Sequence, residues 1–326
     1  MANRWGGSVR RPMTPATTPP VRPIGTYSIV ARDDGGSLGV AVQSHWFNVG
    51  AVVPAIEPGV GAVAVQSISD PSTGELVLSE LRRGREAAEA IPSVLRDQGD
   101  LSYRQVAAVG MSGDAAAHTG DLCIAEAGHT VAGSVSAQAN IMERPTVWPA
   151  MVEAYEHAEG DLADRLLTAL DGGQNEGGDI RGCQSAVLLV STGETANDFD
   201  LRVEDSSDPL GDLRRLVTLR RAYIELNRGD ALMADGSFAD ALDAYEAATT
   251  VIPDEATHGE AAFWTGVAFA AAGRPDDARP FLERAARMQA SWELLLPRLV
   301  RSRMLPDDDA LLGRLRSMMG SDAGHD

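Results

Sequence analysis

The chain has 326 residues, and its 44% of apolar residues can form one large domain with a smaller second one. Its formal net charge of -19 disfavours nucleic acid and anionic membranes as partners, because both repel an acidic surface. The sequence holds no lysine, so all 28 of its basic residues are arginines. This excludes Schiff-base catalysis, a lysine general base and the lysine of a phosphate-binding loop.

The spacing of the cysteines and the length of the apolar runs indicate where in the cell the protein is found. Cys123 and Cys183 lack a CxxC spacing, which argues against a disulfide scaffold. No apolar run reaches the roughly 18 residues of a membrane-spanning helix, and the N-terminal stretch lacks the apolar centre of a secretory signal. We therefore expect a cytoplasmic protein that binds neither membranes nor nucleic acid.

The first 25 residues read MANRWGGSVRRPMTPATTPPVRPIG, with five prolines, four arginines and no acidic residue. Proline and glycine disfavour both helices and strands, so this stretch is predicted to be disordered or extended, or to be removed by processing. A strand-like pattern begins abruptly at Thr26. The sequence therefore predicts an N-terminal extension over residues 1–25 and a folded domain from residue 26.

The next part of the chain alternates strand-like and helical segments. TYSIVAR and SLGVAVQS form a predicted hairpin, and VGAVVPAI and VGAVAVQS form a second one. These strands are apolar nearly throughout, which favours a sheet covered on both faces. Two helices, three strand-like stretches, two further helices over 145–158 and 161–171, and two final strands follow. This order predicts a layered α+β domain over residues 26–205.

From residue 206 the chain is predicted to be helical, and it carries an internal repeat at an offset of 37 residues. The matched positions are Gly229, Gly236, Ala241, Tyr245 and Ala248 in the first copy, and Gly266, Gly273, Ala278, Leu282 and Ala285 in the second. Small residues at these spacings allow two helices to pack closely, and the pattern resembles tetratricopeptide repeats. We predict a small all-α repeat-like region over residues 206–326. Homo-oligomerisation is its expected role, and a protein-interaction adaptor is the alternative.

Polar side chains collect at one end of the predicted strands. In a hairpin that turns at residues 34 and 35, Thr26 faces approximately Gln43, and the residues after Gln43 leave the second strand at the same edge. The end of the second hairpin lies beside them if the chain zigzags. The predicted rim consists of Thr26, Ser44, His45, Gln66 and Ser67.

Thr26 is the candidate nucleophile of this rim. A threonine hydroxyl is a poor nucleophile unless a base removes its proton. Without lysine, the candidate bases are His45 and the α-amine that Thr26 would own as a first residue. An α-amine has a pKa of about 7.7–8.0, which suits a general base near neutral pH. Gly25 offers little steric resistance to attack by the Thr26 hydroxyl, so self-cleavage before Thr26 is one hypothesis.

Five stretches between residues 26 and 205 carry a family resemblance. They read TYSIVARDDGGSLGVAVQSHWFNVGAVVP, GVGAVAVQSISDP, VSAQANIM, VWPAMVEAYE and GGDIRGCQSAVLLV. Together they resemble the family catalogued as domain of unknown function 1028, which is regarded as similar to N-terminal-nucleophile (Ntn) hydrolases. The resemblance implies a four-layer αββα sandwich and hydrolysis of an amide bond by an N-terminal Thr, Ser or Cys. It places the nucleophile at Thr26.

The chain departs from the family's pattern in two ways. Many relatives begin Met-Thr or Met-Ser, so removal of the methionine exposes the nucleophile, whereas 25 residues precede Thr26 here. Self-processing, a start codon placed too far upstream and an inactive chain are three explanations that stay open. Many relatives also carry lysine at the position of His45, which leaves orientation or charge stabilisation as roles for its imidazole.

The other candidate residues are assigned by residue type and position. Asn140 is a candidate oxyanion-hole donor or a turn residue. Asp179 with Arg181 forms a candidate carboxylate clamp or, as the alternative, an ordinary surface ion pair. We predict no metal site, because His118 and His129 lack a third ligand, and we expect no cofactor. The candidate substrate-binding residues are Gln66, Ser67, Asp70, Trp46, Asp179 and Gln184. The alternative for Gln66, Ser67 and Asp70 is a turn cap after a strand, and the alternative for Trp46 is packing in the core.

The leading hypothesis is an Ntn-type amidohydrolase that acts on a small amide or peptide-like bond. Thr26 is its nucleophile, Ser44 and His45 lie beside it, and Asn140 with backbone N–H groups surrounds the oxyanion. The alternative is a catalytically inactive metabolite-binding module or an oligomerising adaptor on the same scaffold. Ligand binding without turnover, in a chain that stays uncut, would favour the alternative.

Overall fold

A computed structural model of the chain describes residues 22–68, 70–98, 101–193 and 198–320. These residues divide into two compact units. The first contains the residues up to Asp198 together with Arg202–Ser207, and the second contains Phe199–Leu201 with the residues from Asp208 onward. Most of the predicted N-terminal extension, residues 1–21, lies outside the described part. None of the helices described is both long and apolar enough to cross a membrane.

The described strands form two sheets. The strands are β1 (Thr26–Arg32), β2 (Leu38–Ser44), β3 (Pro54–Glu57), β4 (Gly61–Ser67), β5 (Arg104–Gly110), β6 (Ala115–Thr119), β7 (Gly128–Ala132), β8 (Val135–Asn140), β9 (Ser185–Ser191) and β10 (Phe199–Val203). Six of them form one sheet in the order β10–β9–β2–β1–β8–β7, and four form the other in the order β3–β4–β5–β6. Pairing is antiparallel between β1 and β2, β1 and β8, β2 and β9, β3 and β4, β4 and β5, β5 and β6, and β7 and β8.

The two sheets pack face to face, and helices cover their outer faces. The helices of the first unit are α1 (Pro71–Arg82), α2 (Ala87–Arg96), α3 (Val147–His157) and α4 (Leu162–Asn175). α1 and α2 pack on the four-stranded sheet, and α3 and α4 pack on the six-stranded one. Successive strand residues alternate between the two sides: Val40 and Val42 lie in the core between the sheets, whereas Gly39 faces Leu166 of α4. The predicted α+β, four-layer αββα arrangement is therefore confirmed, and both sheets are covered on both faces.

The second predicted hairpin is wrong in its first strand. Val49–Ala51 form a turn of 3-10 helix, and β3 starts only at Pro54. The turn follows Asn48, whose backbone is left-handed (φ 54°), and Val49 N–H donates to the side-chain oxygen Oγ of Ser185 over 3.1 Å, not to a backbone carbonyl as in a strand ladder. β3 is short for this reason, and β4 pairs along its whole length with β5.

The register of the first hairpin differs from the prediction by one residue. Thr26 pairs with Ser44, and Gln43 pairs with Tyr27. Because side chains alternate across a strand, this shift puts Ser44 on the same face as Thr26 and Gln43 on the opposite face. On its other side Thr26 pairs with Asn140 of β8. These pairings place three polar residues next to one another at one end of the sheet.

Apart from Phe199–Leu201, which belong to β10, the second unit is helical. Its helices are α5 (Pro209–Ala234), α6 (Phe238–Val251), α7 (Glu260–Ala271), α8 (Arg279–Met288), α9 (Leu296–Arg301) and α10 (Asp309–Met318). The sequence repeat corresponds to two helical pairs, α5 with α6 and α7 with α8. A Cβ at Gly229 would lie 2.8 Å from the Tyr245 ring, and one at Gly266 would lie 2.8 Å from Leu282. The repeated small residues therefore allow the close helix contact that their spacing predicts.

These glycine contacts give a stability prediction. Gly266→Ala pushes a methyl group against Leu282, and we expect overpacking of about 1–3 kcal/mol to outweigh the gain in helix propensity and lower the free energy of unfolding. Gly313→Ala in α10 is the matched control, because a Cβ there meets nothing within 4 Å. Helix propensity alone favours that alanine by about 1 kcal/mol. Urea unfolding followed by circular dichroism measures both variants, and a change of the same sign in each would contradict this explanation.

Candidate active site

The polar residues of the layer between the sheets gather at one end of the strands. Thr26 begins β1, whereas Ser44 ends β2 and Asn140 ends β8, so antiparallel pairing brings all three to the same end. Each of the three is fully buried. The structure thus brings together three of the four residues that the sequence nominates for catalysis.

The hydroxyl of Thr26 belongs to a short chain of hydrogen bonds. Thr26 Oγ1 donates to Ser44 Oγ over 3.2 Å, and Ser44 Oγ donates to the carbonyl oxygen of Gly25 over 2.5 Å. The same carbonyl oxygen accepts a second hydrogen bond from Arg181 Nη2 at 2.9 Å. Two donors, one of them a cation, therefore contact the carbonyl of the peptide bond that precedes Thr26. Donors in this arrangement stabilise negative charge that develops on a carbonyl oxygen.

Asp179 holds Arg181 in this position. Its buried carboxylate accepts hydrogen bonds from Arg181 Nε at 3.0 Å and Nη2 at 2.8 Å, and from the Arg181 backbone N–H at 2.9 Å. A bidentate pair of this kind fixes the plane of the guanidinium. His45 adds its backbone N–H to the same carboxylate at 3.3 Å, while the residue as a whole is exposed. This contact is made by the backbone of His45, so any residue other than proline at this position would supply it.

A network of buried amides ties the two sheets together behind Thr26. Gln66 Nε2 donates to the Thr26 carbonyl at 3.1 Å and to Gln105 Oε1 at 2.8 Å, and Gln66 Oε1 accepts from Ser28 Oγ at 2.6 Å. Asn140 Nδ2 also donates to Gln105 Oε1, at 2.9 Å. The network holds the Thr26 carbonyl and the Ser28 side chain, and so fixes the backbone of β1 directly after the Thr26 side chain. Gln66, predicted to bind substrate, lies within this network.

Three further predicted site residues, Asp70, Gln184 and Asn140, use their side chains in hydrogen bonds away from the Gly25 carbonyl. Asp70 caps α1, where it accepts from the hydroxyl and N–H of Ser72 at 2.8 and 3.0 Å, and these bonds lower the pKa of its carboxyl. Gln184 donates to Asp205 at 3.0 Å. The amide nitrogen of Asn140, predicted to be an oxyanion-hole donor, donates to Gln105. The donors that contact the Gly25 carbonyl are instead Ser44 and Arg181.

The residues before Thr26 lie along the same end of the sheets. Ile24 forms an antiparallel bridge with Ser67, with Ile24 N–H donating at 2.8 Å and Ser67 N–H donating back at 3.3 Å. Ile24 is only 6% exposed and joins the core between the sheets. The guanidinium of Arg22 lies 4.2 Å from the centre of the Trp46 ring, a cation–π contact. Ser67 and Trp46, both predicted to bind substrate, thus contact the chain's own residues 22–25.

Two non-glycine residues with left-handed backbone lie near Gly25. Ser67 at the end of β4 has φ 67°, and Ile141 directly after β8 has φ 62°. This conformation is costly for a β-branched residue such as isoleucine, and strain of this kind clusters at functional sites. Ile141 also lies against Gly25, because a Cβ at Gly25 would be 2.9 Å from Ile141 Cδ1. The backbone around the Gly25–Thr26 bond is therefore closely constrained.

The two cysteines of this unit, Cys123 and Cys183, are partly buried thiols. Burial raises the pKa of Cys123, which keeps its thiol protonated near neutral pH. Cys183 donates to Gln174 Oε1 at 3.1 Å, and Tyr27 donates to the same oxygen at 2.8 Å. Burial also raises the pKa of Tyr27 well above its ordinary value. Across the described residues, no group of three or more His, Cys, Asp or Glu side chains is arranged to hold a metal ion.

Sequence reasoning missed Gln105, Ser28 and the contact between Arg181 and Gly25. A signal for the amide network was present, because glutamine recurs near one end of several strands, and three of these glutamines belong to the network. They are Gln66, Gln105 and Gln138, whereas Gln43 lies on the opposite face of its strand. The contact of Arg181 joins residues 156 positions apart, and no local pattern indicates it.

Among solved structures, the crystal structure of a Silicibacter pomeroyi protein of family-model DUF1028 is similar to this chain. The TM-score is 0.55 at 30% sequence identity, over 59% of this chain and 88% of that chain. Anbu (ancestral beta-subunit) from Yersinia bercovieri matches with a TM-score of 0.32 and 13% identity, over 65% of this chain and 96% of that chain. A comparison with curated proteins found no match.

Family models match both units of the chain. The tetratricopeptide repeat model matches residues 226–292, which contain the C-terminal part of α5, the helices α6, α7 and α8, and the repeated glycines. The model described as a family of unknown function (DUF1028) matches residues 26–213, and its first residue is Thr26. The chain therefore belongs to the DUF1028 family, with tetratricopeptide repeats after the family domain.

Proposed function

We propose that the first unit is an Ntn-type amidohydrolase whose nucleophile, Thr26, is exposed when the chain cleaves itself between Gly25 and Thr26. One observation carries the proposal: the Gly25 carbonyl oxygen contacts Ser44 Oγ at 2.5 Å and Arg181 Nη2 at 2.9 Å, beside the Thr26 hydroxyl. The resemblance of the family to Ntn hydrolases supports the same assignment.

In the proposed self-cleavage the Thr26 hydroxyl oxygen attacks the Gly25 carbonyl carbon. Its proton passes to Ser44 Oγ, and the proton of Ser44 passes to the carbonyl oxygen, where Arg181 stabilises the developing charge. The C–N bond then breaks, the proton moves to the Thr26 nitrogen, and the Gly25 acyl group is left as an ester on Thr26 Oγ. Water hydrolyses the ester, which releases a carboxylate at Gly25 and leaves Thr26 with a free α-amine.

The processed protein then has the groups that amide hydrolysis requires. The α-amine of Thr26 takes the proton of its own hydroxyl, and the oxygen attacks the amide carbonyl of the substrate. The carbonyl oxygen of the substrate takes the position of the Gly25 oxygen, against Ser44 and Arg181. The amine passes the proton to the leaving nitrogen, and water releases the acyl group from Thr26. No lysine is needed, in keeping with a sequence that contains none.

Intact-mass spectrometry of the full-length chain, expressed without an N-terminal tag, tests the proposal. We expect a species that begins at Thr26 in the wild type and only uncut chain in Thr26→Ala. Thr26→Ser is the matched control, because serine keeps a hydroxyl and should still be cut. Since the sequence has no lysine, the processed species carries one amine, and reductive methylation should modify Thr26 alone. Cleavage in Thr26→Ala would contradict the proposal.

A wild-type chain that stays uncut would also contradict self-cleavage. That result would favour the second candidate, a catalytically inactive metabolite-binding module. The complete burial of Thr26 behind residues 22–25 is the observation in favour of this candidate. Homo-oligomerisation or adaptor function of the helical unit remains a prediction, supported by the match to tetratricopeptide repeats.

A further inference from the structure

We infer that the processed protein accepts a peptide-like acyl group that ends in glycine, with a branched apolar residue before the glycine and a cationic group upstream. The inference rests on the proposed function. In self-cleavage Gly25 is the acyl residue that Thr26 attacks, so residues 22–25 occupy the region that the acyl part of an external substrate would enter. Their contacts therefore show which substrate groups fit there.

The glycine position is the most restrictive one. A Cβ at Gly25 would lie 2.3 Å from Arg181 Nη2 and 2.9 Å from Ile141 Cδ1, distances that a real Cβ does not reach. Arg181 cannot swing aside freely, because Asp179 binds it through two nitrogens. Its movement would also remove a donor from the carbonyl oxygen. An acyl group that ends in alanine therefore either clashes with Arg181 or displaces it. In the second case the oxyanion loses one of its two donors.

The residue before the glycine is recognised through its backbone and its side chain. Ile24 exchanges two backbone hydrogen bonds with Ser67, which requires an N–H and a carbonyl in the substrate. Such strand addition is a common mode of peptide recognition. The Ile24 side chain is buried in the same apolar cluster as Val42 and Val187. A peptide-like acyl group with an apolar branched residue satisfies both contacts.

The upstream cation adds a weaker preference. The Arg22 guanidinium lies over the Trp46 ring at 4.2 Å, and Arg22 is itself exposed. A cation–π contact at an exposed site contributes little to the binding free energy. Its loss should weaken substrate binding by about two- to fivefold. Trp46 is therefore expected to tune affinity, while the glycine position determines which substrates are cut.

The test uses the processed wild-type protein and two peptides that differ by one methyl group. Arg-Pro-Ile-Gly and Arg-Pro-Ile-Ala are each joined through an amide to aminomethylcoumarin, whose release is followed by fluorescence. We expect kcat/KM to be higher for the glycine peptide by about tenfold or more, the scale of an overpacked contact. Ala-Pro-Ile-Gly should show a KM raised by about two- to fivefold relative to Arg-Pro-Ile-Gly, a ratio that Trp46→Leu should abolish.

The outcomes separate this inference from the proposed function. Equal cleavage of the glycine and alanine peptides overturns the inference and leaves the proposed function intact. The inference is also overturned if neither peptide is cleaved although Thr26 has a free amine and reacts with a small β-lactone. That reaction would show that the nucleophile is active. A chain whose Thr26 stays blocked or unreactive contradicts the proposed function itself, and the inference fails with it.

Discussion

Ser44→Ala should slow self-cleavage of the full-length chain by about 100-fold or more, the usual cost of losing one oxyanion donor. Ser44 Oγ is bonded to both reacting groups: it accepts from Thr26 Oγ1 at 3.2 Å and donates to the Gly25 carbonyl at 2.5 Å. Its loss removes both the proton path and one of the two donors that stabilise the oxyanion. A mass-spectrometric time course after refolding from urea measures the rate.

Ser136→Ala is the control for this experiment. Ser136 is also fully buried, and its hydroxyl donates to Gln138 Oε1 at 3.2 Å rather than to Gly25. Both variants remove one buried hydroxyl, so each should lower the free energy of unfolding by about 1 kcal/mol. Only Ser44→Ala should change the cleavage rate. Wild-type cleavage in Ser44→Ala, or equal slowing in both variants, would contradict the role given to Ser44.

Gln105→Leu should lower the free energy of unfolding by about 3 kcal/mol or more, because it leaves several buried polar groups without partners. Gln105 Oε1 accepts from Gln66 at 2.8 Å and from Asn140 at 2.9 Å. Its amide nitrogen donates to the carbonyl oxygens of Ala139 at 2.9 Å and Gly128 at 3.1 Å. The leucine keeps the volume of the side chain but satisfies none of these groups. Urea unfolding measures the loss.

Gln43→Leu is the matched variant, and the opposite result is expected. Gln43 is as deeply buried as Gln105, yet neither its amide oxygen nor its nitrogen has a hydrogen-bond partner within the described part of the chain. A buried amide without partners is costly, so an apolar group of similar shape should leave stability unchanged or raise it by about 1 kcal/mol. If both substitutions lower the free energy of unfolding by a similar amount, the loss depends on the burial of the glutamine and not on its hydrogen bonds.

The sequence predicted the layered fold well but not the hairpin register. Long apolar strands indicate a sheet that is covered on both faces, and both sheets of the structure are covered in this way. The same uniformity removes the alternation that would fix the register, so nothing in the pattern distinguished Gln43 from Ser44 as the partner of Thr26. The hydrogen bond from Asp33 N–H to the Ser37 carbonyl, with Gly36 at φ 90°, gives the turn the geometry that sets the register.

At the candidate site, local sequence patterns predicted some features, whereas contacts between distant parts of the chain could not be predicted. Thr26 was identified because a strand begins where a proline-rich stretch ends, which is a local signal. The contact of Arg181 with Gly25 depends on the loop between α4 and β9, and the packing of distant elements determines where that loop lies. The proximity of Asp179 to Arg181 predicted an ion pair, but not that the guanidinium contacts the Gly25 carbonyl.

The covalent attachment of residues 22–25 determines how long they stay at the site. While they belong to the same chain, their effective local concentration is of millimolar order or higher, as for any short tether. A free peptide must instead overcome a loss of translational and rotational entropy of about 4 kcal/mol or more. One strand bridge, one buried isoleucine and one exposed cation–π contact provide little to offset that loss. Breaking the Gly25–Thr26 bond would therefore convert a permanently filled site into one that empties by dilution.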